Sequence, residues 1–315
     1  MAKVLITDYI NDHNVESEIL GDDVTLKVSE EVEVLLVWHE KITEEFLNQF
    51  PNIKGVVRYG VGFDAIDLDA IKRKGIFFCN TPDYGTDEVS DTAIGMLLNL
   101  TRGIHVYDFQ CKDYNDDSWQ ENIIPSLRRS SDMVLGVIGA GRIGGSLIRK
   151  ALAVGFNVIF YDPYKDRGYE KMLNCGRVDS LNDLINNSDI ISVNTPLTSE
   201  TRGLVDKNFI HSMKTGAYFM NTSRGEIVKD LDDFVLPLLN NSISGVAFDV
   251  LPDEPPKKSR LISLWRSNDK SISGKVIINP HTSYYSSQSF KEMRVKASLN
   301  AKRILEGKTP YNIIR

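Results

Sequence analysis

Residues that could do chemistry sit at the ends of short β-branched runs in this chain. Gly139-Ala140-Gly141-Arg142-Ile143-Gly144 has the spacing G-x-G-x-x-G, follows the run Met133–Ile138 and opens a helical pattern reaching about Val154. The next run, Asn157–Tyr161, ends in Asp162, close to the ~20 residues at which a dinucleotide-binding unit places its ribose-binding acid. Gly139 permits a tight turn, Gly141 lets a pyrophosphate approach the backbone, and Gly144 lets the helix pack closely on the strand. The helix N-terminus offers unpaired N–H groups and partial positive charge to the phosphates. Asp162 would accept the hydroxyls of an adenosine ribose and repel a 2′-phosphate, which favours NAD over NADP, although Lys165 and Arg167 lie close by.

Hydride chemistry on a carbonyl also needs a proton donor and a cation for an anionic substrate, and gains from an acid that tunes the donor. Three strand ends offer these. Asn221-Thr222-Ser223-Arg224-Gly225 supplies a permanent guanidinium that can fork onto a carboxylate. Asp249, Asp253 and Glu254 follow the run Gly245–Asp249, and Asn279-Pro280-His281-Thr282 follows Val276–Asn279. A glutamate near His281 would favour the imidazolium. In Arg58-Tyr59-Gly60-Val61-Gly62 the glycines would let backbone N–H groups approach an anion.

The elements that position these groups alternate between strand and helix. Further runs are Val4–Thr7, Val34–Val37, Gly55–Arg58, Ile190–Asn194 and Ala217–Asn221. Strands separated by helical patterns predict an α/β fold with two doubly wound, Rossmann-like parallel sheets. Residues 1–102 with 285–315 read as one domain, and 103–284 as a second, dinucleotide-binding one. The spacing predicts a helix over about 86–108 and a last helix over about 287–306 that returns to the first domain. Residues 112–131 are polar and irregular, and Pro255–Lys275 reads as a long, basic surface loop.

Composition bounds the function. The chain has 315 residues, which favours two domains. Its net charge of −6 argues against a dedicated nucleic-acid binder. Hydrophobic content of 42% and charged content of 25% are globular values. Cys79, Cys111 and Cys175 form no metal-ligand or disulfide spacing, so no metal and a reducing compartment are expected. The N-terminus lacks a signal core and no run is long enough to span a bilayer, so a cytoplasmic protein is expected.

Taken together, the motifs resemble the D-isomer-specific 2-hydroxyacid dehydrogenase family. They are RYGVGFDAIDLDAIKRKGI (58–76), TDEVSDTAIGMLL (86–98), GVIGAGRIG (136–144), NTPLTSETRGL (194–204), MNTSRGEIV (220–228), GVAFDVLPDEP (245–255) and NPH (279–281). The branch holding D-phosphoglycerate dehydrogenases and C-terminal binding proteins is the most similar. The resemblance implies a catalytic set of Arg224, Glu254 and His281. Arg224 would bind the substrate carboxylate, His281 would carry the proton, and Glu254 would pair with His281 and raise its pKa. Thr195, Pro196 and Thr222–Arg224, including Ser223, look like cofactor contacts, with Arg142, Ile143 and His281 beside them. Asp249 looks like the acid at the nicotinamide end. Arg58, Gly60, Val61 and Gly62, with Arg224, His281 and Tyr284, look like substrate contacts. The implied activity is NAD-dependent interconversion of a 2-oxoacid and a D-2-hydroxyacid, in a cleft between the domains of a homodimer. Two other readings share the motifs: an NAD(H)-sensing, corepressor-like binding protein, and an oxidoreductase acting on formate or phosphite.

Departures from the family are also visible. Only Ser29–Glu33 separates Val24–Val28 from Val34–Val37, where relatives have a helix. Tyr284 stands where the corepressor branch has Trp, and the loop after Glu254 is long. Serine-type feedback control is not expected, since nothing follows Arg315.

Overall fold

The computed structural model describes residues 3–112, 119, 123–124 and 127–314. The chain divides into two compact units, Met1–Gly85 with Tyr285–Arg315, and Thr86–Tyr284.

The first unit is a five-stranded parallel sheet of β1 (Val4–Ile6), β2 (Val24–Thr25), β3 (Val34–Val37), β4 (Gly55–Arg58) and β5 (Phe77–Cys79), in the order β2-β1-β3-β4-β5. β1, β3 and most of β4 are buried throughout, as expected of parallel strands covered on both faces. Eight residues without a helix join β2 to β3, yet all five strands are present. Three helices, α1 (Asn14–Leu20), α2 (Glu44–Leu47) and α3 (Leu68–Lys74), flank the sheet. α3 shows how the sequence sets its ends. Asp67 accepts the Ala70 N–H at the start, and Gly75 closes the helix at φ 64°.

The second unit opens with α4 (Thr86–Arg102) and α5 (Ile104–Cys111). Its seven strands are β6 (Val134–Ile138), β7 (Asn157–Tyr161), β8 (Gly176–Arg177), β9 (Ile190–Val193), β10 (Ala217–Asn221), β11 (Ile243–Phe248) and β12 (Val276–Ile278). They are all parallel and ordered β12-β11-β10-β9-β6-β7-β8. The helices between them are α6 (Arg142–Ala153), α7 (Tyr169–Leu173), α8 (Leu181–Asn187), α9 (Lys207–Ser212), α10 (Val235–Leu239) and α11 (Arg260–Arg266). The C-terminal α12 (Ser287–Leu305) packs on α1, β3 and β4 in the first unit, behind a Ser286–Ser289 capping box.

Two sequence expectations shift. The boundary near residue 102 moves to Gly85/Thr86, because Met96, Leu97 and Leu100 of α4 join the core around Leu147 and Ala151 of α6. Ser90 reinforces that contact through Ser146 Oγ (3.0 Å) and Lys150 Nζ (2.6 Å). The basic segment 255–275 is not all loop. It contains α11, whose Leu261 and Ile262 are buried and whose first N–H groups meet Asp232 and Ser259. The edge strands β5 and β8 carried no readable pattern. Most of the polar stretch 112–131 lies outside the described residues. All three cysteines are free thiols, and burial pushes the Cys79 thiol up to about 12. Among the described residues no helix is long and apolar enough to cross a membrane, and no His/Cys/Asp/Glu group could hold a metal ion.

Candidate active site

The order of the second sheet reverses between β6 and β9. Open α/β sheets bind ligands at the carboxyl ends of the strands flanking such a point. The glycine turn follows β6 and Thr195-Pro196 follows β9. Gly139 takes φ 88°, and a Cβ on it would lie 2.8 Å from the Asn194 carbonyl oxygen. A Cβ on Gly144 would lie 2.0 Å from the Gly139 carbonyl oxygen, so only glycine lets α6 start this close to the turn. Gly141 faces open space. It begins α6 without a side-chain cap, which leaves the first N–H groups for an anion. Exposed Arg142 and half-buried Ile143 occupy the first turn of α6.

Three more features mark a polar ligand here. Thr195 Oγ1, Thr222 Oγ1 and Asn194 Oδ1 are buried without a hydrogen-bond partner. Such atoms are rare in folded proteins and ask for an outside partner. Asp162 is buried and its carboxylate accepts the N–H groups of Ala140 (2.9 Å) and Tyr164 (3.0 Å). A carboxylate has about four acceptor sites, so two remain for ribose hydroxyls. The donors and acceptors therefore fit a dinucleotide. Arg177 holds the loop after Asp162 by bonds to the carbonyls of Lys165 (2.9 Å) and Asp166 (3.0 Å).

The next three strand ends carry the Arg–Glu–His group. After β10, buried Asn221 holds the turn through Ser223 N–H (3.0 Å) and the Arg224 carbonyl (2.8 Å). The turn presses against the loop after β11, since a Cβ on Gly225 would overlap the Leu251 carbonyl. Glu254 Oε1 accepts the Leu251 N–H (2.8 Å), and its Oε2 lies 2.7 Å from His281 Nδ1. His281 and Glu254 keep 42% and 38% of their side chains exposed, so the pair is reachable by a ligand. Burial raises the Glu254 pKa, but the His281 bond and charge, the Leu251 N–H and the Arg224 guanidinium outweigh it. The carboxyl stays below its ordinary value.

His281 is held in the left-handed region at φ 56°, where a non-glycine residue is uncommon. Asp249 explains how. Its carbonyl accepts the His281 N–H (2.8 Å), and its carboxylate accepts those of Thr282 (3.1 Å) and Ser283 (3.2 Å). Asp249 is only 2% exposed, so its visible work is to shape the histidine turn. Sequence reading gave it a cofactor contact and missed this, as it missed Asn221. Tyr284 is half-buried at the end of the same turn.

In the first unit, Arg58–Gly62 follows β4. Thr81 Oγ1 bonds the carbonyls of Arg58 and Tyr59, and Asn80 Nδ2 bonds that of Val61 (2.6 Å). Val61 is exposed at the tip. Asn80 and Thr81 were not singled out in the sequence, although two polar residues directly after a strand are a readable signal.

A family model described as "D-isomer specific 2-hydroxyacid dehydrogenase, NAD binding domain" matches residues 94–283, and the chain belongs to this family. Among solved structures, D-lactate dehydrogenase from Aquifex aeolicus, complexed with NAD and lactic acid, is 30% identical. It superimposes with a TM-score of 0.81, covering 97% of this chain and 96% of that one. D-3-phosphoglycerate dehydrogenase of Methanocaldococcus jannaschii is 29% identical over 100% of this chain and 59% of its own length. C-terminal-binding protein 1 of Caenorhabditis elegans is 28% identical over 96% of this chain and 43% of its own. The chain thus spans about half the length of these two curated relatives.

Proposed function

We propose that this chain is an NAD-dependent dehydrogenase interconverting a 2-oxoacid and a D-2-hydroxyacid. The observation that carries the proposal is the His281–Glu254 pair beside the Arg224 turn, on the same sheet edge as the glycine turn. A nicotinamide dinucleotide, when bound, supplies the hydride for the carbonyl carbon. His281 gives its Nε2 proton to the carbonyl oxygen, while Glu254 accepts from Nδ1 and orients the ring. Arg224 holds the substrate carboxylate and polarises the carbonyl. In the reverse direction His281 takes the hydroxyl proton. Asp162 selects NAD by disfavouring a 2′-phosphate. The family resemblance supports a homodimer through the second unit, which light scattering would read.

A rate panel tests the proposal. The purified protein, with NADH and separately NADPH, is offered pyruvate, glyoxylate, hydroxypyruvate, phenylpyruvate and 2-oxoglutarate. NADH oxidation with at least one is expected, and His281→Ala should lower kcat by about 10²–10⁴-fold. Normal turnover in that variant would remove His281 from the mechanism. Tight NADH binding with no turnover across the panel would replace the enzyme by an NADH-sensing protein.

A further inference from the structure

The basic segment Pro255–Lys275 carries six cations, Lys257, Lys258, Arg260, Arg266, Lys270 and Lys275, against one acid, Asp269, in a chain of net charge −6. The Arg224–Glu254–His281 group and the glycine turn use none of them. The fold gathers three around one cavity of about 330 Å³ in the second unit. Pro256, Lys257 and Lys258 of the loop line it together with Ser263, Arg266 and Ser267 of α11 and its C-terminal end, over Ile262.

Local structure explains the convergence. Ser259 caps α11 by accepting the Ile262 N–H (3.2 Å), and Leu261 and Ile262 are buried in the core. Ser263, Arg266 and Ser267 follow at helical spacing and share the exposed face. Pro256 fixes the backbone of the loop that lines the same cavity.

No carboxylate lines the cavity. Asp253 holds Lys257 from outside it (2.6 Å), and the Asp269 carboxylate accepts the N–H and hydroxyl of Ser271. Among the described residues Lys258 and Arg266 have no acidic partner. The Ser263 and Ser267 hydroxyls donate to the carbonyls of Ser259 (2.7 Å) and Leu264 (3.1 Å), so what the cavity offers a ligand is positive charge. Like charges gathered without an acid repel one another, and a bound anion relieves that repulsion.

We propose that this cavity binds a small phosphomonoester. Such a group is close to a dianion near neutrality, and Lys257, Lys258 and Arg266 supply the charge that holds it. Pro256 and Ile262 give the carbon part of the ester apolar contact. The volume suits a small molecule, since ligand pockets begin near ~300 Å³, whereas a nucleic acid needs a basic stripe along a face. The binding does not depend on the dehydrogenase reading.

The test is calorimetric titration of glycerol 3-phosphate into the whole protein, with inorganic phosphate and glycerol beside it. Saturable binding of the ester below about 10 mM is expected, with inorganic phosphate weaker and glycerol silent. Lys258→Gln and Arg266→Gln should each weaken it by about two- to fivefold, the range of an exposed ion pair, and the double variant by more than either. Both residues are exposed, so the variants should melt at the temperature of the native protein. Absent binding, or equal binding in the double variant, would overturn the site. Inorganic phosphate binding as tightly as the ester would overturn the role of the carbon part. A single-stranded oligonucleotide that binds more tightly than the ester, and loses that affinity in the double variant, would make the segment a nucleic-acid face instead.

Discussion

The two sheets end in opposite kinds of surface. At the carboxyl edge of the second sheet, polar atoms are buried and left open: Thr195 Oγ1, Thr222 Oγ1, Asn194 Oδ1 and the uncapped start of α6. At that of the first sheet the carboxylates of Asp8 and Glu16 are consumed. Asp8 is filled by backbone N–H groups, and Glu16 accepts from the Tyr59 hydroxyl (2.9 Å) and from Arg294. What the first edge offers is aromatic surface: Tyr9 is 55% exposed and stacks on Trp38 with centroids 5.3 Å apart. An edge with open polar valences is prepared for a polar ligand. An edge that has closed its carboxylates and displays a ring offers apolar surface instead.

The sharpest way to break this contrast is to open a closed polar group in the first unit. Glu16 is fully buried between Tyr59 and Arg294. Burial opposes charge on Arg294, but its bonds to Glu16 and Asp12 prevail and hold its pKa above the usual range. Glu16→Ala leaves that guanidinium with Asp12 alone and the Tyr59 hydroxyl without its acceptor, and should cost about 3–5 kcal/mol, read by urea unfolding. Hydrogen exchange should place the loss in α1, β4 and α12. Glu16→Leu combined with Arg294→Leu should recover most of it, because no buried charge is then unpaired. A loss under about 1 kcal/mol in the single variant would mean that the network is not what seals this edge.

The complementary change closes an open group in the second unit. Thr195→Val keeps the shape and removes a buried hydroxyl that has no partner. Stability should hold or rise by up to about 1 kcal/mol, since no bond is lost and a desolvated oxygen is removed. NADH affinity should fall several-fold, measured by fluorescence titration. A large destabilisation with unchanged affinity would show that the hydroxyl serves the fold, and would erase the contrast from this side.

Much of the second unit could be read in the sequence, because its chemistry sits in contiguous motifs at strand ends. The Gly139–Gly144 turn, Asp162, Arg224, Glu254 and His281 each follow a run that became a strand. The runs themselves were visible because buried parallel strands are apolar on both faces. What stayed hidden depends on pairing across the chain. The hold of the Asp249 carboxylate on the N–H groups of Thr282 and Ser283, more than thirty residues on, has no signal in the spacing. Tyr9, Trp38 and Asp8 have no motif, and only the sheet order brings their loops together. α4 showed a helical pattern, but the partner of its apolar face could not be read from spacing. Edge strands β5 and β8 are two or three residues long and bury too little for a periodicity to register.

The smallest expected effect concerns the acid of the His281–Glu254 pair. The Glu254 carboxyl is held below its ordinary value of 4.5, so the folded state binds its proton less readily than the unfolded chain does. Its ionisation therefore contributes stability that is fully present above the unfolded pKa and is lost as pH falls through the folded one. Glu254→Gln removes that contribution. The melting temperature of the variant should lie below that of the native protein near neutrality, and the gap should narrow as pH drops from about 5 toward 3. The shift should be modest, because the side chain is 38% exposed and solvent screens the interaction. In the first unit Asp12 is also held below its ordinary value, chiefly by its bond to Arg294, so both proteins share that acid-labile contribution and it cancels in the difference. A gap that widens on acidification would mean that burial, and not His281, dominates the environment of Glu254.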